Sequence, residues 1–203
     1  MSATPRRQAT AARKEQIARA AIAVLAERGY QATTFEAICA QAGLSSKRLI
    51  TYHFSDKDAL FEAVAERVVA DAEAAIRPAL DAASGARAKL AALIRANVTF
   101  MAGHLDQMRA LQQIILNGGH AWERHHAESL DRLSDLFAHG RRAGEFRSGN
   151  PRIMAAVLRA SLDGVYEPLS AGIDPGECAE ELVEFFDRAT RAEGAHASHR
   201  SDP

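Results

Sequence analysis

Apolar residues recur along the chain at the three- and four-residue spacing of amphipathic helices, and the two-residue alternation typical of strands is never sustained. Ala, Leu, Glu and Arg, which favour helix, dominate throughout. Turns containing Gly or Pro separate the periodic segments. The pattern predicts an all-α chain with about nine helices, at residues 12–28, 34–41, 46–53, 56–76, 86–102, 105–116, 121–141, 151–171 and 175–191.

Residues 33–54 have the pattern of two short helices joined by a turn. Thr33 is placed to cap the first helix, and Glu36 can reach back to it from three residues further on, which is the spacing of a capping box. Gly43 then supplies the backbone freedom that a chain needs to leave a helix. Between these signals, one apolar stripe is formed by Phe35, Ile38, Cys39 and Ala42. The segment therefore predicts a helix-turn-helix.

The second helix of this pair, with Ser45 or Ser46 as its cap, has two chemically different sides. At about 100° per residue, the side that would pack against the preceding helices holds Leu49, Ile50, His53 and Phe54. The opposite side carries cations and hydroxyl groups, which suit the phosphates and base edges of a DNA major groove. The candidate DNA contacts on this helix are Ser46, Lys47, Arg48, Thr51 and Tyr52. An ordinary amphipathic helix pair is the alternative interpretation.

Charge separates the two parts of the chain. Residues 1–57 hold nine Lys/Arg and four Asp/Glu, a net charge of +5, whereas the remainder holds sixteen and twenty-two, a net charge of −6. The whole-chain charge of −1 therefore hides a basic footprint of the kind that binds a polyanion. Residues 1–11, rich in Ala, Thr, Arg and Gln, are expected to form a flexible basic arm along phosphates or a minor groove, or a solvated tail.

The 203 residues, 47% of them hydrophobic, can bury the core of one large or two small domains. The turn signals favour a DNA-binding domain at 12–55, a larger helical domain at 56–192 and a flexible tail at 193–203. Cys39 and Cys178 do not make a disulfide framework and fit a reducing cytoplasm. No apolar run approaches the about 18 residues of a transmembrane helix, and no secretory signal pattern is present. We therefore expect a cytoplasmic protein with no membrane partner.

The chain resembles the TetR family of one-component transcriptional regulators over about fifty residues. The resemblance rests on an ordered set of cap, turn and core positions: Gly29-Tyr30, Thr33-Thr34, Ile38, Ala42-Gly43-Leu44-Ser45 and Tyr52-His53-Phe54-Ser55-Asp56-Lys57-Asp58-Ala59-Leu60. It implies a three-helix DNA-binding domain followed by a helical domain for ligand binding and dimerisation. It also implies a homodimer that represses by binding double-stranded operator DNA and is released by a small-molecule effector.

The resemblance adds two candidate contacts with phosphate. Thr34 matches a position near the second helix that often meets the DNA backbone, and Lys57 matches a lysine commonly placed at the start of the fourth helix. The chain departs from the commonest family pattern by one additional residue between Gly43 and Phe54. The aromatic residue usual three positions before Phe54 is absent, and Tyr52 is the candidate to replace it. The base that each side chain contacts therefore stays open.

Two long amphipathic helices at the end of the chain, 151–171 and 175–191, can form a four-helix interface in a symmetric dimer. Packing inside one chain is the alternative for each of their apolar residues. A dimer also fits DNA reading, because two recognition helices about one duplex turn apart read a near-palindromic site. The candidate interface residues are Leu158, Leu162, Val165, Leu182, Phe185 and Phe186.

The effector is expected to bind among the middle helices, where aromatic, thioether and imidazole side chains could line a mostly apolar pocket. Ordinary core packing is the alternative for each of these residues. The candidate ligand contacts are Phe100, Met101, His104, Met108, Leu111, Trp122, His126 and Phe137. This composition favours an apolar or aromatic effector with few charges.

An enzyme is a further alternative, because Glu123 and His126 have the Glu-x-x-His spacing of di-iron helical bundles. Such a site needs a second copy of the motif, and the other match, Glu193 to His196, lies in the predicted tail. No zinc-protease motif, phosphate loop or nucleophile elbow is present, so we expect no enzymatic activity, metal or cofactor. A helical adaptor for proteins would explain the apolar faces but not the basic segment. Steep salt dependence of binding would favour DNA over such a partner.

Overall fold

The computed structural model describes residues 5–117 and 120–192, and the side chains of residues 7–117 and 123–192. These residues form ten helices and no strand, apart from one isolated antiparallel bridge between Phe146 and Arg191. The all-α class is therefore confirmed. The helices are α1 (Pro5–Ala32), α2 (Phe35–Ala42), α3 (Arg48–His53), α4 (Lys57–Ala82), α5 (Ala86–Gly103), α6 (Leu105–Leu116), α7 (His120–Arg142), α8 (Pro151–Gly164), α9 (Tyr166–Ser170) and α10 (Pro175–Thr190).

The helix predicted at 151–171 is two helices, α8 and α9. Pro168 has no N–H with which to bond the carbonyl of Gly164, so one continuous helix cannot pass this point without losing a hydrogen bond. By contrast, α4 continues through Pro78, where the sequence pattern predicted its end. These are the main differences from the predicted set of nine.

Residues 5–11 belong to α1 and not to the flexible arm that was predicted at 1–11. Pro5 suits the first turn of a helix, and the Ala, Gln and Arg residues after it have high helix propensity. Residues 1–4 and the tail predicted at 193–203 lie outside the described residues. At its other end, α1 loses helical geometry at Gly29, whose φ is 77°, and this is where the predicted helix stops.

The chain divides into two compact units. The first contains the chain up to Ala72 together with His104–His126, so it includes α1, α2, α3, the first part of α4, and α6. It extends beyond the domain predicted at 12–55 because α6 packs along α1 and adds apolar side chains to the same core. Its buried side chains include Ile17, Leu25, Ile38, Ile50, Leu60, Val64, Ala110 and Ile114.

The second unit contains Glu73–Gly103 and the chain from Ala127 onward. Here α5 packs against α8, α9 and α10. The carboxylate of Glu145 accepts hydrogen bonds from the backbone N–H groups of Ala86 (2.9 Å) and Arg87 (3.0 Å), which satisfies two donors at the start of α5. Across the described part of the chain, no helix has the length and apolar character to cross a membrane.

Candidate nucleic-acid interface

Helix α2 is capped by Thr34 and not by Thr33, which corrects the predicted capping box. Thr34 Oγ1 accepts a hydrogen bond from the backbone N–H of Ala37 (3.1 Å). Thr33 is buried, and its hydroxyl donates to the carbonyl of Gly29 (2.7 Å). Because the core takes up Thr33 and its hydroxyl is already used, the following residue supplies the cap. Thr34 remains exposed at the N-terminus of α2.

The turn after α2 is built around Gly43, as the sequence predicted. Its φ of 64° lies in the left-handed region, and its N–H donates to the carbonyl of Ala40 (3.3 Å). Gln16 on α1 donates from Nε2 to the carbonyl of Ala42 (2.7 Å). This side-chain bond holds the turn against α1 and so limits how α3 can be oriented on the core.

Helix α3 begins two residues later than predicted. Ser46 lies before it, and its Oγ accepts a hydrogen bond from the backbone N–H of Arg48 (3.2 Å). Ile50 is fully buried and anchors the helix, whereas Arg48, Thr51 and Tyr52 are exposed. A guanidinium, a hydroxyl and a phenol thus share the accessible side of a short helix. These groups can hydrogen-bond to phosphates and to base edges in a major groove.

Leu49 does not lie on the packing side, where the sequence pattern placed it. Ile50 and Phe54 are buried in the core, with 0% and 6% of their surfaces exposed, whereas Leu49 is 36% exposed. Helix α3 is oriented so that Ile50 faces the core. Leu49 therefore lies at the edge of the accessible side, three residues before Tyr52. The candidate interface therefore includes one apolar side chain that sequence reasoning missed.

Lys47 is engaged by the protein itself. Its Nζ donates to Glu36 Oε1 of α2 (2.8 Å), and both side chains are exposed. The hydrogen bond and charge of each partner lower the pKa of Glu36 and raise the pKa of Lys47, so both stay ionised in neutral solution. The pair connects α2 to the start of α3. Of the two predicted cations on this face, Lys47 is therefore bonded within the protein, whereas Arg48 is exposed on α3.

Lys57 points its ammonium group into the first unit, which differs from the phosphate contact that the family resemblance implied. Its Nζ donates to the carbonyl of Tyr30 (2.9 Å) and lies 4.2 Å from the centroid of the Tyr30 ring and 5.2 Å from that of Phe61. Burial lowers its pKa. The carbonyl at the kinked end of α1 and the two aromatic faces attract the cation, so Lys57 joins α1 to the start of α4.

Basic side chains of α1 lie near the C-terminal end of α3. Lys14 Nζ is 5.6 Å from the centroid of the Phe54 ring. His53 is half-buried, and burial together with the charges of Lys14 and Arg13 lowers its pKa. His53 is therefore neutral at neutral pH, and the positive charge beside α3 comes from α1. Part of the positive charge of the N-terminal segment therefore lies beside the C-terminal end of α3.

The predicted dimer residues separate into a buried and an exposed group. Leu158 and Leu162 on α8, Val165 between α8 and α9, and Phe186 on α10 are buried within the chain itself, where α5, α8, α9 and α10 pack together. Leu182 is half-buried, and Phe185 is 58% exposed. On α8, the large apolar side chains that are exposed are Ile153 and Val157, with 61% and 45% of their surfaces accessible. A finer reading of the helical phase could have found them.

The predicted ligand residues are divided between the two units. His104, Met108 and His126 belong to the first, whereas Phe100 and Phe137 are buried in the second; the side chain of Trp122 lies outside the described residues. Phe137 packs against Phe146 with 5.6 Å between ring centroids. A shallow depression lies beside these two rings, with about 20 Å³ of space for a bound group. It is smaller than the pockets that usually enclose a small-molecule ligand.

Met101 and Leu111, which were considered for the same pocket, are buried core residues of the second and first unit respectively. Among the described residues, no group of three or more His, Cys, Asp and Glu side chains is arranged to hold a metal ion. The residues grouped around α3 are therefore the ones that the structure brings together as an accessible polar surface.

An exposed polar helix held by a glycine turn on a small three-helix core defines the DNA-binding part of a helix-turn-helix transcriptional regulator. Residues 17–64 match the family model described as bacterial regulatory proteins, tetR family. Residues 17–64 are therefore a DNA-binding domain of the TetR type. No curated protein sequence matches the chain.

Solved structures share the fold over nearly the whole chain. A TetR-like transcriptional regulator from Rhodococcus sp. RHA1 has a TM-score of 0.74 and 22% identity, covering 88% of this chain and 96% of that one. A transcriptional regulator from Saccharomonospora viridis in complex with choline has a TM-score of 0.77 and 19% identity, covering 89% and 98%. AibR in complex with isovaleryl coenzyme A and operator DNA has a TM-score of 0.72 and 17% identity, covering 85% and 97%.

Proposed function

We propose that this regulator is a homodimeric repressor that reads operator DNA with α3 and leaves it when a small-molecule effector binds. The observation that carries the DNA-reading part is the exposed set of Arg48, Thr51 and Tyr52 on a helix anchored by the buried Ile50. Such a regulator acts by binding and needs no enzymatic activity. We expect it to act in the cytoplasm, where bacterial DNA lies.

The chemistry of α3 supports direct reading of bases. Arg48 offers a planar set of donors that matches the two acceptors of guanine in the major groove, and the Tyr52 hydroxyl can donate to or accept from a base edge or a phosphate. Thr51 Oγ1 donates to the carbonyl of Arg48 (3.3 Å) and keeps acceptor capacity for a further bond. Thr34, at the start of α2, is exposed and can meet a phosphate. Arg48 and Tyr52 are therefore the principal candidates for sequence discrimination.

DNA selection tests this assignment directly. The wild-type protein is expected to enrich a near-palindromic duplex from a random pool, and the variant R48A/Y52A is expected to bind the enriched duplex at least about 100-fold more weakly, since each base contact contributes about 1–3 kcal/mol. Arg109→Ala on α6 is the matched control, because it removes an exposed arginine of the same unit away from α3. Equal binding by the double variant and the wild type would remove α3 from its proposed role.

The dimer is proposed to form through the apolar side chains that α8 and α10 leave exposed. Ile153, Val157 and Phe185 have 61%, 45% and 58% of their surfaces exposed, which is unfavourable for large apolar groups in water. Glu181, Glu184 and Arg188 surround Phe185 and can supply a polar rim. A second copy of the chain fits this chemistry because the same patch on each copy is self-complementary about a two-fold axis.

The effector class is proposed as apolar or aromatic, on the composition of the middle helices. The solved neighbours do not narrow this choice: one is described with choline and another with isovaleryl coenzyme A, at similar levels of identity to this chain. A screen for compounds that release the selected duplex tests both the class and the mechanism. Release by an apolar compound, together with binding of that compound to the DNA-free protein, would support the proposal. Release only by cationic or strongly anionic compounds would reject the apolar class.

A further inference from the structure

Leu49 is an exposed large apolar side chain on the helix proposed to read DNA. It is 36% exposed, although its neighbour Ile50 is fully buried and Phe54 nearly so. A single exposed leucine is common on protein surfaces, so exposure alone does not indicate a partner. Leu49 is a candidate for contact with a partner because it lies on the helix that also exposes Arg48 and Tyr52.

The neighbours of Leu49 identify that partner as duplex DNA. Arg48 precedes it and is exposed, and Tyr52 lies three residues on, about 60° around the helix axis and 75% exposed. The Tyr52 ring packs edge-on against His53, with 5.0 Å between ring centroids. The basic side chains Lys14 and Arg13 of α1 lie near the C-terminal end of the same helix, beside His53 and Phe54. A groove lined by phosphates is electrostatically complementary to this surface.

Leucine can recognise only one feature of the major groove. Its side chain has no hydrogen-bonding group, so contact with the polar edge of guanine, adenine or cytosine would remove water from that edge without replacing its hydrogen bonds. Thymine alone among the four bases presents an apolar group there, the C5 methyl. Contact between the leucine and that methyl group removes apolar surface of both from water.

We propose that Leu49 is a specificity-determining residue that contacts a thymine methyl group in each half of the operator, beside the base or phosphate contacted by Tyr52. The inference rests on the proposed DNA-reading function and adds to it the chemical class of base that this position requires. It also predicts that the selected duplex contains a thymine at the same place in both half-sites.

Deoxyuridine substitution tests the inference without changing the protein. Deoxyuridine pairs as thymine does but lacks the methyl group, so each thymine of the selected duplex is replaced in turn, symmetrically in both halves. The wild type is expected to bind one such duplex about 15-fold more weakly, which is about fourfold for each methyl group. Leu49→Ala is expected to bind the thymine and deoxyuridine duplexes equally. Leu49→Met, which keeps an apolar side chain of similar size, is expected to retain the discrimination.

Leu116→Ala is the matched control, because Leu116 is 73% exposed and lies on α6 of the same unit. This variant is expected to discriminate the two duplexes as the wild type does. If the wild type binds the selected duplex but tolerates deoxyuridine at every position, or if Leu49→Ala still discriminates, the inference is overturned while the proposed function stands. If selection enriches no duplex at all, the proposed DNA-reading function fails, and the inference fails with it.

Discussion

Helix α3 and the helix pair α8 and α10 are both amphipathic, but they leave opposite kinds of side chain exposed. Helix α3 presents Arg48, Thr51 and Tyr52, whereas α8 and α10 present Ile153, Val157 and Phe185 among acidic and basic groups. The first surface can bind a polyanion and should respond to salt, and the second can bind an apolar surface and should respond little. The difference shows that the partner of an amphipathic helix is defined by what remains exposed after its apolar side is buried.

The largest effect is expected from placing charge on the apolar surface. The variant V157D/F185D should be monomeric, because two carboxylates would have to be desolvated in each half of the interface. Operator affinity should fall about 100-fold or more, since two linked DNA-binding units gain about 10²–10⁴ from being joined. Sedimentation and duplex binding measure the two effects. The dependence of any remaining DNA affinity on salt would distinguish a loss of dimerisation, which leaves α3 able to bind phosphates, from damage to α3 itself. A variant that remains fully dimeric would show that α8 and α10 do not form the interface.

Two adjacent phenylalanines on α10 sharpen the distinction between core and surface. Phe186 is 1% exposed and Phe185 is 58% exposed. Phe186→Ala is expected to lower the free energy of unfolding by about 3–5 kcal/mol, because it leaves a cavity in the second unit. Phe185→Ala should change the stability of the single variant V157D, whose carboxylate is also expected to prevent dimerisation, by no more than about 0.5 kcal/mol. Chemical denaturation of both variants in that background measures this, and equal losses would show that the two rings do not differ as described.

Lys57 distinguishes a cation used inside the first unit from one offered to DNA. Lys57→Met keeps much of the side-chain volume but removes the hydrogen bond to the Tyr30 carbonyl and the contacts with two rings. It is expected to lower the free energy of unfolding by about 1–2 kcal/mol. The dependence of DNA affinity on salt should keep its slope, because no phosphate contact is lost. If the slope of log affinity against log salt concentration falls in magnitude by about one for each copy of the chain, Lys57 does contact a phosphate, as the family resemblance implied.

Lys47, which directly precedes α3, should have a smaller effect on DNA binding than Arg48. Its ammonium is already bonded to Glu36 (2.8 Å), so Lys47→Ala is expected to weaken operator binding by less than about threefold, whereas Arg48→Ala alone should weaken it by about 10-fold or more in each half-site. Direct titration of the selected duplex with the two single variants measures the ratio. If Lys47→Ala loses more operator affinity than Arg48→Ala, then Lys47 and not Arg48 is the cation that contacts DNA.

The sequence was sufficient for features that depend on local spacing. Helical periodicity predicted the all-α class, and Gly43 predicted the turn because only its left-handed backbone closes α2 without strain. Spacing could not decide between Thr33 and Thr34 as the cap. The hydroxyl of Thr33 is not available to cap α2, because it donates a hydrogen bond to the carbonyl of Gly29, four residues earlier at a kink. Spacing also could not place Leu49, whose exposure depends on how α3 rotates to bury Ile50.

The same limit applies to the C-terminal helices and to Lys57. An apolar stripe predicts that a helix buries one side but does not say whether α5 or a second chain covers it, and the structure assigns Leu158 and Phe186 to the chain's own core. Lys57 was matched to a phosphate contact by its position, whereas its ammonium is taken by the Tyr30 carbonyl. Such assignments depend on residues that are distant in sequence, and tertiary packing decides them.

The preference of the wild-type protein for its selected duplex over a scrambled duplex, measured between about 50 and 200 mM salt, tests the central claim most directly. If α3 reads sequence from a surface that also meets phosphates, both affinities should fall steeply with salt, while the selected duplex stays preferred by about 10³-fold or more at each concentration. Equal affinity for the two duplexes, or binding that does not respond to salt, would contradict the assignment of this protein as a regulator that reads DNA through α3.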